Sequence, residues 1–149
     1  MFDGSNCFFN SDLEFLQDLI DLNSLSLNSA LDVGTQNWLG GRLLYIKVGN
    51  DFDGGNILLT TLPESIGNLS QIQTLSLAEN DIGELPESIT SLNNLANLIL
   101  SFNSISSLPE DIGSLSNLYF LDLGYNQLEN VPESIGNLEN LEYLWLFNN

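Results

Sequence analysis

Acid–base chemistry in this sequence would have to come from carboxylates. The chain holds 20 Asp and Glu residues against 2 Lys and Arg, no histidine, and one cysteine, Cys7. Without histidine, Ser-His-Asp triads, Cys-His pairs and His-containing zinc sites are excluded. Two carboxylates can hydrolyse a glycoside, but the acids here recur at fixed places. Glu64, Glu87, Glu110 and Glu133 each directly follow a proline. There they suit the first turn of a short helix, where negative charge meets the positive end of the peptide dipoles. No catalytic residue is assigned. Cys7 has no partner in the chain, so an internal disulfide is excluded, and an incidental thiol is preferred over an intermolecular bridge.

Two further motifs invite chemistry. The run Asp51-Phe52-Asp53-Gly54-Gly55-Asn56 resembles the opening of a calcium loop. A complete loop needs an oxygen ligand at its fifth position, glycine at the sixth and glutamate at the twelfth. Gly55, Asn56 and Leu62 stand there instead, and a glycine-rich turn is the better reading. Asn68-Leu69-Ser70 is an N-glycosylation sequon by letter, but Asn137-Leu138-Glu139 repeats its context, so structure accounts for the asparagine. No metal and no cofactor are expected.

The formal net charge of -18 repels nucleic-acid phosphates and anionic lipid surfaces, so nucleic-acid binding is excluded. No apolar run approaches the roughly 18 residues that a membrane span needs, so direct membrane insertion is excluded. Met1-Phe2-Asp3-Gly4-Ser5 lacks the basic region of a signal peptide. The acidity suits a salty external medium, where screening over about 10 Å weakens self-repulsion.

The elements that position these residues are written in a period. Segments starting at Leu62, Leu85, Leu108 and Val131 align without gaps. Pro63, Pro86, Pro109 and Pro132 are all the prolines in the chain, each 23 residues after the last, and Asn80, Asn103, Asn126 and Asn149 keep the same interval. Each unit pairs a short alternating apolar run such as Ile72, Leu75 and Leu77 with a turn opened by proline, whose fixed φ suits a helix start. No single unit can bury its own apolar face, so the units must stack.

The register L-x-x-L-x-L-x-x-N, followed by x-L-x-x-L-P-x-x-I, resembles the 23-residue type of leucine-rich repeat found in bacterial surface proteins and signalling scaffolds, over Leu43 to Asn149. The resemblance implies an α/β fold: a right-handed solenoid with a parallel β-sheet on its concave face and short helical or irregular turns on its convex face. Asn80, Asn103, Asn126 and Asn149 would then form a structural ladder, each buried amide donating to and accepting from backbone groups.

Five solenoid strands are expected in residues 42–149, with repeats near 43–61, 62–84, 85–107, 108–130 and 131–149. In the first repeat Asp51 takes the ladder position, and six residues are inserted before the next. Residues 1–10 read as a flexible leader and 11–41 as an N-terminal helical cap. Ser11 and Glu14 have the form of a capping box, Leu13, Phe15, Leu16, Leu19, Ile20 and Leu22 form a helical stripe, and Trp38 is a candidate to plug the open end. The chain stops at a ladder position, so a C-terminal cap is expected to be missing from it, as in a fragment.

Side chains between the inward leucines face solvent on the sheet. The central column reads Lys47, Ser76, Ile99, Asp122, Trp145, and its neighbour Tyr45, Thr74, Asn97, Phe120, Tyr143. Next come Gly49, Ala78, Ser101, Gly124, Phe147, then Asn50, Glu79, Phe102, Tyr125, Asn148. Aromatic residues gather toward the last repeats, and the candidate binding set is Ile99, Phe102, Phe120, Asp122, Tyr125, Tyr143, Trp145 and Phe147. The expected function is macromolecular binding, foremost of a protein, by part of a larger extracellular or cell-surface protein. A carbohydrate ligand on the same face and an architectural, self-stacking repeat are the alternatives.

Overall fold

The computed structural model describes residues 8–49 and 57–149. Cys7, Asp51 and the candidate calcium run therefore lie outside the described residues. Four strands of three residues recur at the repeat interval: β3 (Thr74–Ser76), β4 (Asn97–Ile99), β5 (Phe120–Asp122) and β6 (Tyr143–Trp145). Together with β2 (Arg42–Lys47) they pair in parallel and in sequence order, giving the five solenoid strands.

Each coil is built from its own sequence in the same way. The middle residue of the strand points inward, and Ile46, Leu75, Leu98 and Leu121 stack at 0–1% exposure. Proline then turns the chain. Pro63, Pro86 and Pro132 sit in extended conformation just before 3₁₀ turns at Glu64–Asn68, Glu87–Ser91 and Glu133–Asn137. The turn after Pro109 starts later, at Ile112–Ser114. Ile66, Ile89 and Ile112, with Leu69, Leu92 and Leu115, return the apolar face of each turn to the core at 0% exposure.

The ladder amides close the coils against one another. Asn103 Oδ1 accepts from the Ile82 backbone N–H at 3.0 Å, while its Nδ2 donates to the Leu77 and Leu100 carbonyls at 2.9 and 3.0 Å. Asn80, Asn126 and Asn149 repeat the pattern one coil apart, accepting from Leu59, Ile105 and Leu128. Each amide thus joins its own strand end to the preceding coil. A second series was not read from the sequence: Asn94, Asn117 and Asn140 donate to the carbonyls of Ser70, Asn93 and Ser116 at 2.6–2.7 Å, just before the strands. Their 23-residue spacing was the available signal.

The turns pack as closely as the strands. A Cβ on Gly113 would stand 1.9 Å from the Ser134 carbonyl oxygen, so only glycine fits between these two coils. At Ser88 the packing leaves a cost, because its Oγ is buried without a hydrogen-bond partner. Ser88→Ala is expected to be neutral or to stabilise by up to about 1 kcal/mol, since it removes an unsatisfied buried hydroxyl. A lower urea midpoint for this variant would show that the hydroxyl is satisfied in solution.

The N-terminal segment packs on the first coil. Helix α1 (Asn10–Leu22) buries Phe15, Leu16 and Leu19 completely in the common core. Two sequence expectations need correction here. Phe9, not Ser11, is the helix N-cap, and no side chain caps the helix. The Phe9 carbonyl accepts from the Asp12 and Leu13 N–H groups, and the Ser11 hydroxyl turns to Asp12 instead. The leader boundary at residue 10 is also displaced. Asn10 is already helical, the Phe9 N–H donates to the Gly41 carbonyl at 2.9 Å, and Phe8 meets Trp38 edge-on at 4.7 Å.

Asp12 explains why the helix starts so close to the sheet. It is fully buried, accepts from the Leu43 N–H at 2.8 Å, and holds the Arg42 guanidinium at 2.8 Å. Arg42 extends to Ser70 Oγ at 2.8 Å and covers the Phe9 ring at 4.6 Å. At the far end of the helix, Asn23 Oδ1 accepts from the Thr60 and Thr61 N–H groups. The sheet itself is not wholly parallel, because β1 (Thr35–Leu39) pairs with β2 in antiparallel register and makes six strands among the described residues. Half-buried Trp38 lies on β1, packs against the core, and donates from Nε1 to Gln36 Oε1.

Candidate functional site

The sheet presents one side to the core and the other to solvent, and the strand register brings the outward residues into rows. Phe120 pairs with Tyr143 and Asp122 with Trp145, while Asn97 and Ile99 precede them on β4. Neighbouring strands lie about 4.8 Å apart, close enough for rings on successive coils to touch. Phe120 meets Trp145 edge-on with centroids 5.0 Å apart, and Trp145 reaches Phe147 at 6.0 Å.

Just beyond the strands, the residue before each ladder asparagine lies in the left-handed region. Glu79, Phe102, Tyr125 and Asn148 have φ of 56–59°. That conformation is unfavourable for residues with a Cβ, and at Glu79, Phe102 and Tyr125 the backbone N–H is engaged by the next coil. The Phe102 N–H donates to Gly124 and the Tyr125 N–H to Phe147, both across to the next coil. It holds Phe102 and Tyr125 in a parallel stack at 4.2 Å and 11°, and Phe147 closes on Tyr125 edge-on at 5.3 Å. Gly124 makes room for this, since a Cβ there would meet the Phe147 ring at 2.8 Å.

Of the residues singled out from sequence, Phe102, Phe120, Tyr125, Tyr143, Trp145 and Phe147 are thus joined by ring contacts into one cluster. Ile99 lies half-buried beside them in the central row. Asp122 is placed differently from an open acidic contact. It is 6% exposed, and its Oδ1 accepts from the Gly124 N–H at 3.0 Å. The carboxylate therefore holds the strand end that carries the rings.

One ring was missed. Tyr119 precedes β5 and was not placed in a sheet-facing column, but it meets Tyr143 edge-on at 5.3 Å and extends the cluster to seven rings. Apart from half-buried Phe120, these rings are 40–51% exposed. A hydrogen bond with Tyr143, loss of solvent, and the neighbouring Glu142 carboxylate push the Tyr119 phenol up to about 12. Because the folded value is raised, the associated stability is fully present below about pH 10 and is lost as pH rises toward 12. Absorbance titration at the tyrosinate band is expected to show one late-ionising tyrosine that titrates earlier in Tyr143→Phe. An unchanged curve in that variant would break the assignment.

Elsewhere, a cleft of about 650 Å³ lies between the end of α1 and the first turn, lined by Asp18, Asp21, Leu22, Thr61, Leu62, Pro63 and Glu64. Asp18 already accepts from Ser65 Oγ and Asp21 from Gln17 Nε2. Among the described residues no group of His, Cys, Asp and Glu side chains has the arrangement to hold a metal ion, and no helix is long and apolar enough to cross a membrane. The ring cluster is a surface rather than a pocket, suited to a ligand with area of its own.

Comparison with known proteins gives the same architecture. The leucine rich repeat family pattern matches residues 93–149, and a second leucine rich repeat pattern matches residues 71–92. No curated protein sequence matches the chain. A leucine-rich repeat protein of Leptospira interrogans is 36% identical over 69% of this chain, with a TM-score of 0.60. The plant peptide hormone receptor RGFR1, solved in complex with RGF2, is 33% identical over 72% of it, with a TM-score of 0.62. A plant ice-binding protein superposes over 95% of the chain with a TM-score of 0.74, and at 24% identity that likeness shows the fold alone. The chain spans 29%, 17% and 49% of these three proteins, respectively. With its period, its stacked parallel strands and these matches, the chain belongs to the leucine-rich repeat family.

Proposed function

We propose that this chain is a protein-binding module that uses the sheet face of its last three coils, and that it is a scaffold rather than a catalyst. One observation carries the reading: seven aromatic rings in mutual contact on that face, six of them 40–51% exposed. A contiguous exposed apolar patch of this kind marks a contact surface, and aromatic residues dominate interface hot spots. The likeness to a hormone receptor solved with its peptide supports a polypeptide partner and an extracellular or cell-surface setting. The likeness to a leucine-rich repeat protein of Leptospira supports a bacterial context.

The test compares Tyr143→Ala, Trp145→Ala and Ser88→Ala for binding to a partner captured from surface and secreted proteins. Each ring variant is expected to weaken binding by about 2 kcal/mol or more, with Ser88→Ala unchanged and all three folded by circular dichroism. Equal affinity across the three would move the site off the sheet face.

A further inference from the structure

We infer that the occupant of the ring platform is a cationic polypeptide segment, one whose arginine side chains lie on the exposed rings. This rests on the sheet-face reading above and names its partner chemistry. Charge supplies the first observation. No Lys or Arg follows Lys47, so the 14 charged side chains from residue 48 onward are all carboxylates. A surface of one sign attracts the opposite sign and speeds its encounter, and it repels an acidic partner. The two cations lie at the far end of the array: Arg42 is committed to Asp12, and Lys47 stands in the first coil, four strands from β6.

The rings supply the second observation. A guanidinium binds over the face of Trp, Tyr or Phe through the ring quadrupole, and the chain already does this once, with Arg42 over Phe9 at 4.6 Å. On the platform Tyr119, Tyr143, Phe120, Trp145 and Phe147 meet edge-on or tilted, so these contacts do not stack one ring face on another. The rings are spread over adjacent coils, so an extended segment crossing the strands meets several in turn.

The third observation weighs against a sugar, which needs open hydrogen-bonding groups beside a stacking ring. Four polar side chains of the sheet face are turned to their neighbours or buried. Asp122 is bound to the Gly124 N–H, Asn97 Nδ2 donates to Thr74 Oγ1 at 3.0 Å, and Ser76 and Ser101 are buried.

The experiment is calorimetric titration with an alternating Arg-Gly decapeptide, set against Ser-Gly and Glu-Gly decapeptides and a panel of neutral hexasaccharides. The Arg-Gly peptide is expected to bind the intact chain and to weaken about tenfold between roughly 20 and 300 mM salt. Tyr143→Ala and Trp145→Ala keep the net charge, and each should weaken that peptide about fivefold or more. Glu87→Gln and Glu133→Gln remove charge on the turn side and should change it less than about twofold. Failure of the Arg-Gly peptide to bind overturns the inference, as does tighter binding of the Ser-Gly peptide or a hexasaccharide. Equal loss in ring and turn-side variants does so as well, because it would show diffuse polyanion attraction. None of these results alters the comparison of Tyr143→Ala and Trp145→Ala with the captured partner, which separately decides whether the sheet face binds.

Discussion

Replacing Arg42 with alanine is expected to cost about 3–5 kcal/mol of stability, the range for removing one partner of a buried ion pair. The reason is what remains. Asp12 is fully buried, and without Arg42 its charge keeps the Leu43 N–H and the Ser11 hydroxyl but no cation. The loss is not confined to the pair, because Arg42 also reaches Ser70 and covers Phe9, tying the N-terminal helix to the first coil. Adding Asp12→Asn should recover a good part of the loss, since a neutral amide oxygen can still accept from Leu43 without a buried charge. Urea midpoints of the single and double variants measure this. If the double variant proved less stable than Arg42→Ala, an uncompensated charge would not be the cause.

Asn103→Ala is expected to cost about 1–3 kcal/mol, because it orphans the Ile82 N–H in the interior, while the Leu77 and Leu100 carbonyls keep the amides of Asn80 and Asn126. Asn97→Ala should cost much less. Its side chain makes a half-buried bond to Thr74 Oγ1, and the loss leaves both groups near water. The two residues have identical side chains and lie six positions apart, so the contrast isolates their place in the coil. Coincident unfolding midpoints would refute the register.

That register was legible in the sequence because the constraint on it repeats. Proline, leucine and asparagine each meet the same neighbour one coil on, so an interval of 23 identifies what each must do. The outward columns followed from strand alternation alone, and the observed pairing of Asn97 with Phe120 and of Phe120 with Tyr143 matches them. What was not legible is local and unrepeated. The helix start depends on Asp12 finding Arg42 across 30 residues, a tertiary contact that outweighs the Ser11 and Glu14 capping pattern. The antiparallel strand Thr35–Leu39 belongs to no repeat. On the platform, the rings were readable as a cluster, but the inward turn of Asp122 depends on the Gly124 N–H, and the recruitment of Tyr119 depends on where its ring swings before β5.

Hydroxyl-radical footprinting of the chain with and without its captured partner tests the sheet-face claim most directly, because exposed aromatic rings report their own coverage. The account predicts protection of Phe102, Tyr125, Tyr143, Trp145 and Phe147, with Leu22, Leu31 and Leu39, exposed on the N-terminal segment, oxidised as in the free chain. Protection of those leucines with the rings left as reactive as before would contradict it.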